Sequence, residues 1–390
     1  MNINTQIAKK AIIWLCAAHL VCDIYTGFLN PVMPFIASKL GFSMAIATVI
    51  ISISHICSSL LQPIFGFFAD NILHRFFIFW GLILVSVFIP LTTGSPSIEL
   101  LLLFMILGSL GGSFFHPQAL GFANNFSLCK NCAKNIGIFI SVGSIGFALG
   151  PLVAAGITQA LGLNMIVWTI IPGLVLAFLM FIFVPKLSET NINIEHKKFI
   201  NTFKEIFLNR QMNYLMLIAM MKSLITNSCS ILLPFLWKNM NYTPFYIGFA
   251  LFLFVFSGAI GSFISPFAEK TFGSKAVIYF SMLATLPLMT VFANTYKTLP
   301  FISLLIFGII GFTTMLAQPV TMVWAQRILP DYKSIVAGFI NGFCWGITAL
   351  CLSVLGFFAE NFGIITVLVF LSIVPAVFSY FVKYLREENT

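Results

Sequence analysis

Charge is what this sequence has least of. Asp, Glu, Lys and Arg together make up 8% of the 390 residues, against about 25% in an ordinary soluble domain. The 11 acidic residues are too few to solvate a globular surface of this size. Signatures of nucleotide-dependent and metal-dependent catalysis are also missing. There is no Gly-Lys-Ser/Thr loop, no His-Glu-x-x-His and no Gly-x-Gly-Asp. The 8 cysteines form no disulfide framework, because Cys16, Cys22, Cys57, Cys229, Cys344 and Cys351 fall inside apolar runs. Cys129 and Cys132 make a lone Cys-x-x-Cys with no second pair and no nearby histidine, so no metal site is read there. A soluble enzyme, a secreted disulfide scaffold and a cofactor protein are all disfavoured. The formal charge of +9 does not point to nucleic acid either, since the basic residues stand singly at the ends of apolar runs.

What the chain has instead is apolar length. It is 59% hydrophobic, with a mean hydropathy of +1.03. A helical membrane span needs about 20 apolar residues. Twelve such runs are legible: 11–35, 43–69, 75–94, 98–124, 135–160, 163–185, 212–237, 244–268, 275–293, 299–326, 333–358 and 363–384. They are continuous, whereas barrel strands alternate over about ten residues, so the spans are helices. Lys9 and Lys10 before Ala11–Leu15 look like the start of a secretory signal, but the apolar stretch runs on to Phe35 through His19 and Asp23. It reads as a retained first span.

The only long polar segment, Lys186 to Arg210, separates six spans from six. The expected organisation is therefore an all-α membrane protein of two pseudo-symmetric six-helix bundles, residues 1–185 and 212–390, joined by a linker at 186–211. Of the 20 Lys and Arg residues, 16 fall on one side of the alternating spans. Lys39, Lys238 and Lys297 fall on the other, and Lys222 lies within a span. Positive residues collect on the cytoplasmic side, so both termini are expected there, in a plasma (inner) membrane.

The halves echo one another. Phe115-His116-Pro117 in the fourth span matches Ala317-Gln318-Pro319 in the tenth, and Gly66 to Asp70 at the end of the second matches Ser265 to Glu269 at the end of the eighth. Arg75 follows Asp70, and Lys275 follows Glu269, within six positions.

His19 and Asp23 are four residues apart and share one helix face. Asp23 is the only acidic residue deep in any span, roughly 18 Å from the inner end of the first at 1.5 Å per residue. Lys222 is roughly 15 Å and His116 roughly 12 Å from the inner ends of their spans. Ionisable residues at such depth mark transport pathways and proton relays by default. His19 and Asp23 are accordingly the candidate proton-coupling pair, which His116 joins where the first and fourth spans line one cavity.

Several motifs carry a resemblance. Twelve spans split six and six, with Gly66-x-x-x-Asp70 and Arg75 after the second span, resemble the major facilitator superfamily. The loop motif is incomplete: Asn71 and Leu73 stand where a basic residue and a second Gly are usual. Gly146-x-x-x-Gly150-Pro151 resembles the fifth-span motif of its drug–proton antiporters. With His19-x-x-x-Asp23, Ser59 to Gly66 and Phe115-His116-Pro117, these residues look like the fosmidomycin-resistance branch of bacterial exporters.

The resemblance implies a proton-coupled secondary transporter working by alternating access, with the first, fourth, seventh and tenth spans lining one cavity. Lys222, Gln318, Asn227, Tyr25, Phe115 and Trp324 would then line it, and Gly66, Asp70, Arg75, Glu269 and Lys275 would form conformational latches. The implied partners are a small substrate, protons and the bilayer, with a monomeric chain and no nucleic acid. Lys222 and the histidines favour an anionic or zwitterionic drug or metabolite moved outward. A proton-symport importer on the same fold remains the alternative.

Overall fold

A computed structural model describes residues 5–62, 64–65, 76–126, 132–184, 204–330 and 333–386. Gly66, Asp70, Arg75, Cys129 and most of the linker lie outside these residues. The described residues are almost entirely helical and contain no strand. In lipid this is forced, because backbone groups without water must pair within their own segment.

Among the described residues, eleven helices are long and apolar enough to cross a membrane, and a shorter apolar helix joins them. They are numbered in chain order: α1 (Lys10–Leu40), α2 (Met44–Leu60, the shorter one), α3 (Phe76–Gly94), α4 (Ile98–Ala123), α5 (Asn135–Leu161) and α6 (Leu163–Phe183). The remainder are α7 (Arg210–Asn239), α8 (Pro244–Phe272), α9 (Ser274–Thr295), α10 (Pro300–Ile328), α11 (Ile335–Phe362) and α12 (Ile364–Tyr384). The α7 window is 83% buried and that of α6 22%, so α7 is an interior helix and α6 a peripheral one.

Contacts divide the chain into two compact units. The first is Met1–Phe42, Ile53–Ile194 and Asn241–Phe252; the second is Ser43–Ser52, Glu195–Met240 and Leu253–Thr390. Two short stretches thus pack with the unit other than the one their chain position implies. In the first unit, Gln159 Oε1 accepts from the Phe245 amide at 3.0 Å, and Gly248 has no Cβ to obstruct the Pro151 carbonyl. In the second, Glu360 Oε2 accepts from the Ala45 amide at 2.9 Å.

Proline sets the breaks that matter for function. α1 is interrupted after Thr26 and resumes at Leu29, because Pro31 can give no hydrogen bond to the carbonyl of Gly27. α10 is interrupted at Ala317, where Pro319 leaves the Met315 carbonyl without its helical partner. Ser262 Oγ of α8 donates to that carbonyl at 3.2 Å. Pro117 leaves α4 continuous, so the matched His-Pro and Gln-Pro pairs have different backbones.

Small residues set the closest approaches. A Cβ on Gly146 would run into the Leu20 carbonyl, and one on Gly150 would stand 2.5 Å from the Ile24 carbonyl oxygen. Gly146 and Gly150 therefore form the seam along which α5 meets α1 backbone to backbone, as small residues do between membrane helices. Short π-helical segments occur in α2 (Ile56–Leu60) and α11 (Gly338–Phe343). In the first, Ser113 of α4 donates to the Cys57 carbonyl.

Candidate functional site

Three helices of the first unit build one cluster. α1 presents His19 and Asp23 one turn apart, with His19 Nε2 3.2 Å from Asp23 Oδ2. α4 brings His116, whose Nε2 lies 3.4 Å from Asp23 Oδ1. α5 completes the cluster, its Phe139 carbonyl accepting from His19 Nδ1 at 2.9 Å. The Phe139 ring stacks on the imidazole with centroids 4.2 Å apart. Gly143 of α5 is the floor, since a Cβ there would lie 2.5 Å from His19 Nε2 and 2.8 Å from Asp23 Oδ2. Seam and cluster are one construction: close approach of α5 to α1 needs Gly146 and Gly150, and room for the imidazole needs Gly143.

The hydrogen-bond pattern constrains the protons. A backbone carbonyl can only accept, so His19 Nδ1 carries a hydrogen. In the neutral tautomer Nε2 then bears a lone pair, and an ionised Asp23 would face it with another. The 3.2 Å contact is attractive only if a further proton sits on Nε2 or on the carboxyl. With an imidazolium the stacked Phe139 face adds a cation–π contribution. The ligand atoms of His19, Asp23 and His116 all lie within 4.8 Å of one another, close enough to share one small cation, of which a proton is the simplest. Side-chain exposure is 10% for His19, 13% for Asp23 and 29% for His116, so His116 is the member in best contact with the surroundings.

A second cluster lies in the second unit. Lys222 of α7 is 3% exposed, and its Nζ reaches Gln318 Oε1 at 3.4 Å. Gln318 sits at the α10 break and donates through Nε2 to Asn341 Oδ1 at 2.7 Å. That bond turns the Gln318 carbonyl toward the ammonium. Among the described residues no carboxylate pairs with Lys222. One turn along α7, Asn227 is buried and its Nδ2 has no partner among the described residues. An unsatisfied buried amide of this kind costs on the order of 1–3 kcal/mol.

Other residues singled out from the sequence are placed differently. Tyr25 and Phe115, expected on a cavity wall, are buried inside the first unit, where the Phe115 ring lies 5.9 Å from that of His19. Tyr25 donates to the Thr169 carbonyl of α6, and Phe115 is fully buried beside Gly81 of α3. Trp324 is 6% exposed, packed against the apolar core around Met212, Ile340 and Val382, and lines a cleft of the second unit that does not include Lys222. Glu269 accepts from Ser274 Oγ at 2.7 Å, at the start of α9, where the helix dipole favours a carboxylate. Lys275 makes no ion pair with it among the described residues. Phe139, Gly143 and Asn341 went unnoticed in the sequence. Only Asn341 had a signal, as the lone carboxamide in its apolar run.

Comparison with known proteins agrees with this architecture. The family model described as Major Facilitator Superfamily matches residues 15–352. The chain is 26% identical over 369 residues to the fosmidomycin resistance protein of Escherichia coli (strain K12), covering 89% of this chain and 86% of that one. It is 24% identical over 335 residues to the quinolone resistance protein NorA of Staphylococcus aureus (strain MSSA476), covering 83% and 81%. Among solved structures, the nucleoside transporter NupG superposes with a TM-score of 0.78 at 15% identity, over 97% of this chain and 100% of that one. A bacterial homologue of the human lysosomal transporter Spinster, inward-facing and occupied, gives 0.74 at 14% identity, with 96% of each chain covered. Members of the matched family are transporters and not enzymes. This chain belongs to the Major Facilitator Superfamily and is a multi-pass membrane transporter of small molecules.

Proposed function

We propose that the chain is a proton-coupled exporter of a small anionic or zwitterionic drug or metabolite, working by alternating access in the plasma membrane. Its moving parts are two six-helix bundles, residues 1–185 and 212–390, with both termini cytoplasmic. The observation that carries the proton half is the His19 Nδ1 bond to the Phe139 carbonyl. It makes the His19–Asp23 contact a place that holds one exchangeable proton, with Asp23 the principal carrier. His116, the more exposed imidazole, passes that proton in or out. The substrate half rests on Lys222, a buried ammonium oriented by Gln318 and Asn341 and without a carboxylate partner among the described residues.

Export is favoured over import by the two relatives named as resistance proteins, although a nucleoside transporter shares the fold. Gly66, Asp70 and Arg75, with Glu269 opposite them in the repeat, are proposed as latches that bias the alternating conformers.

The test is transport in proteoliposomes, with fosmidomycin and a quinolone as first probes and an internal pH dye as second readout. Wild type should accumulate a probe when a pH gradient is the only driving force. Asp23→Asn should lose that accumulation and the accompanying proton flux while still exchanging labelled for unlabelled probe at equal pH. Accumulation by Asp23→Asn under the same gradient would refute the assignment.

A further inference from the structure

The second unit holds a cleft that the transport reading does not use. Its volume is about 1260 Å³, and it shares no lining residue with the Lys222 cluster. The start of α7 and the ends of α10 and α12 contribute four cationic side chains to it: Arg210, Arg327, Lys383 and Arg386. All four are exposed, whereas the floor residue Trp324 is buried.

Among the described residues none of these cations pairs with a carboxylate. Arg210 Nε instead donates to Tyr214 Oη at 2.6 Å. The Lys383 ammonium stands over the Tyr380 and Tyr384 rings, 3.3 and 4.9 Å from their centroids. The cleft also has a fixed frame. Gln211 donates to the Tyr384 carbonyl at 2.9 Å and accepts from the Arg386 amide at 2.8 Å, which ties the start of α7 to the end of α12.

The positive-inside bias accounts for cations at this end of the bundle. It does not account for three helices turning theirs into one braced concavity with an aromatic floor. Like charges held together this way repel one another until an anion arrives. Guanidinium groups match the oxygens of a phosphate in paired hydrogen bonds, and basic pockets between helix ends at this membrane surface suit lipid headgroups. We propose that this cleft binds a phosphate group, carried by an anionic phospholipid or free in the cytoplasm, at a site separate from the transported substrate. Occupancy would cross-link the ends of α7, α10 and α12.

Two arms distinguish the sources, using the full chain. In the first, the protein is placed in phosphatidylcholine nanodiscs with and without phosphatidylglycerol, and lipid retention is read by native mass spectrometry. In the second, inorganic phosphate is added to delipidated protein in neutral detergent and thermal protection is measured. The variant is Arg327→Gln with Arg386→Gln; the control is Lys297→Gln at the opposite ends of its spans.

Each cation near the surface contributes roughly fivefold to anionic-lipid binding. The double variant should therefore lose about 25-fold of its preference for phosphatidylglycerol, with the control unchanged. Phosphate protection of wild type but not of the double variant, with equal lipid retention, would support the cleft and assign the free ion. Wild-type behaviour of a folded double variant in both arms would overturn the proposal. If that variant does not fold, Lys383→Gln takes its place with an expected loss of about fivefold, and wild-type behaviour in both arms again overturns the proposal.

Discussion

Gly143→Ala tests the proton site without removing any titratable group. The added Cβ would stand 2.5 Å from His19 Nε2 and 2.8 Å from Asp23 Oδ2, about 1 Å inside ordinary van der Waals separation. Something must move, and the neighbouring backbone cannot, because Gly146 and Gly150 hold α5 against α1. The imidazole therefore swings away. It stretches the 2.9 Å bond to Phe139 and opens the 3.2 Å contact to Asp23.

Overpacking of this kind costs about 1–3 kcal/mol, and a stranded buried donor adds about 1–3 kcal/mol. The helix itself gains roughly 1 kcal/mol from Ala over Gly. The remainder, about 1–5 kcal/mol, placed on the proton-carrying step lowers gradient-driven transport by at least about fivefold. The assay is probe accumulation in proteoliposomes under an imposed pH gradient, set against exchange at equal pH, which should change far less. Gly156→Ala on the same helix meets nothing within 4 Å and should behave as wild type. If folded Gly143→Ala keeps the wild-type gradient dependence, the His19–Asp23 contact is not part of coupling.

Further outcomes follow from single contacts. Lys222→Gln should weaken anionic probes at least tenfold in a binding titration and leave neutral probes unaffected, whereas Asn341→Ala, which frees Gln318, should give a smaller loss of the same sign. Tyr25→Phe removes one hydrogen bond to α6 and should cost about 1 kcal/mol in a denaturation measurement with no change in the pH profile of transport. Glu269→Gln should slow transport while equilibrium probe binding survives; parallel loss of both would remove it from the latch. A reporter active only in the cytoplasm, fused after Thr390, should be active.

The amino-acid sequence by itself determined the class of protein and its helices. Spans are legible because the penalty for exposing polar groups to lipid acts on every residue of a run, so composition reports it directly. The His19–Asp23 pair was legible for a similar reason: residues four apart on a helix meet whatever the rest of the chain does.

Only the tertiary structure decided what surrounds that pair. His116 arrives from α4, the Phe139 carbonyl that fixes the His19 tautomer comes from α5, and Gly143 matters solely because α5 runs against α1 at that height. Packing also decided that Tyr25 and Phe115 are buried inside the first unit and that Trp324 lines a cleft away from Lys222. Aromatic residues suit lipid, core and cavity alike, so their identity cannot choose among the three. The break in α10 that presents Gln318, set against the unbroken α4 at the equivalent Pro117, is of the same kind. A proline removes a backbone bond wherever it stands, and the neighbouring helices determine whether the chain bends in response.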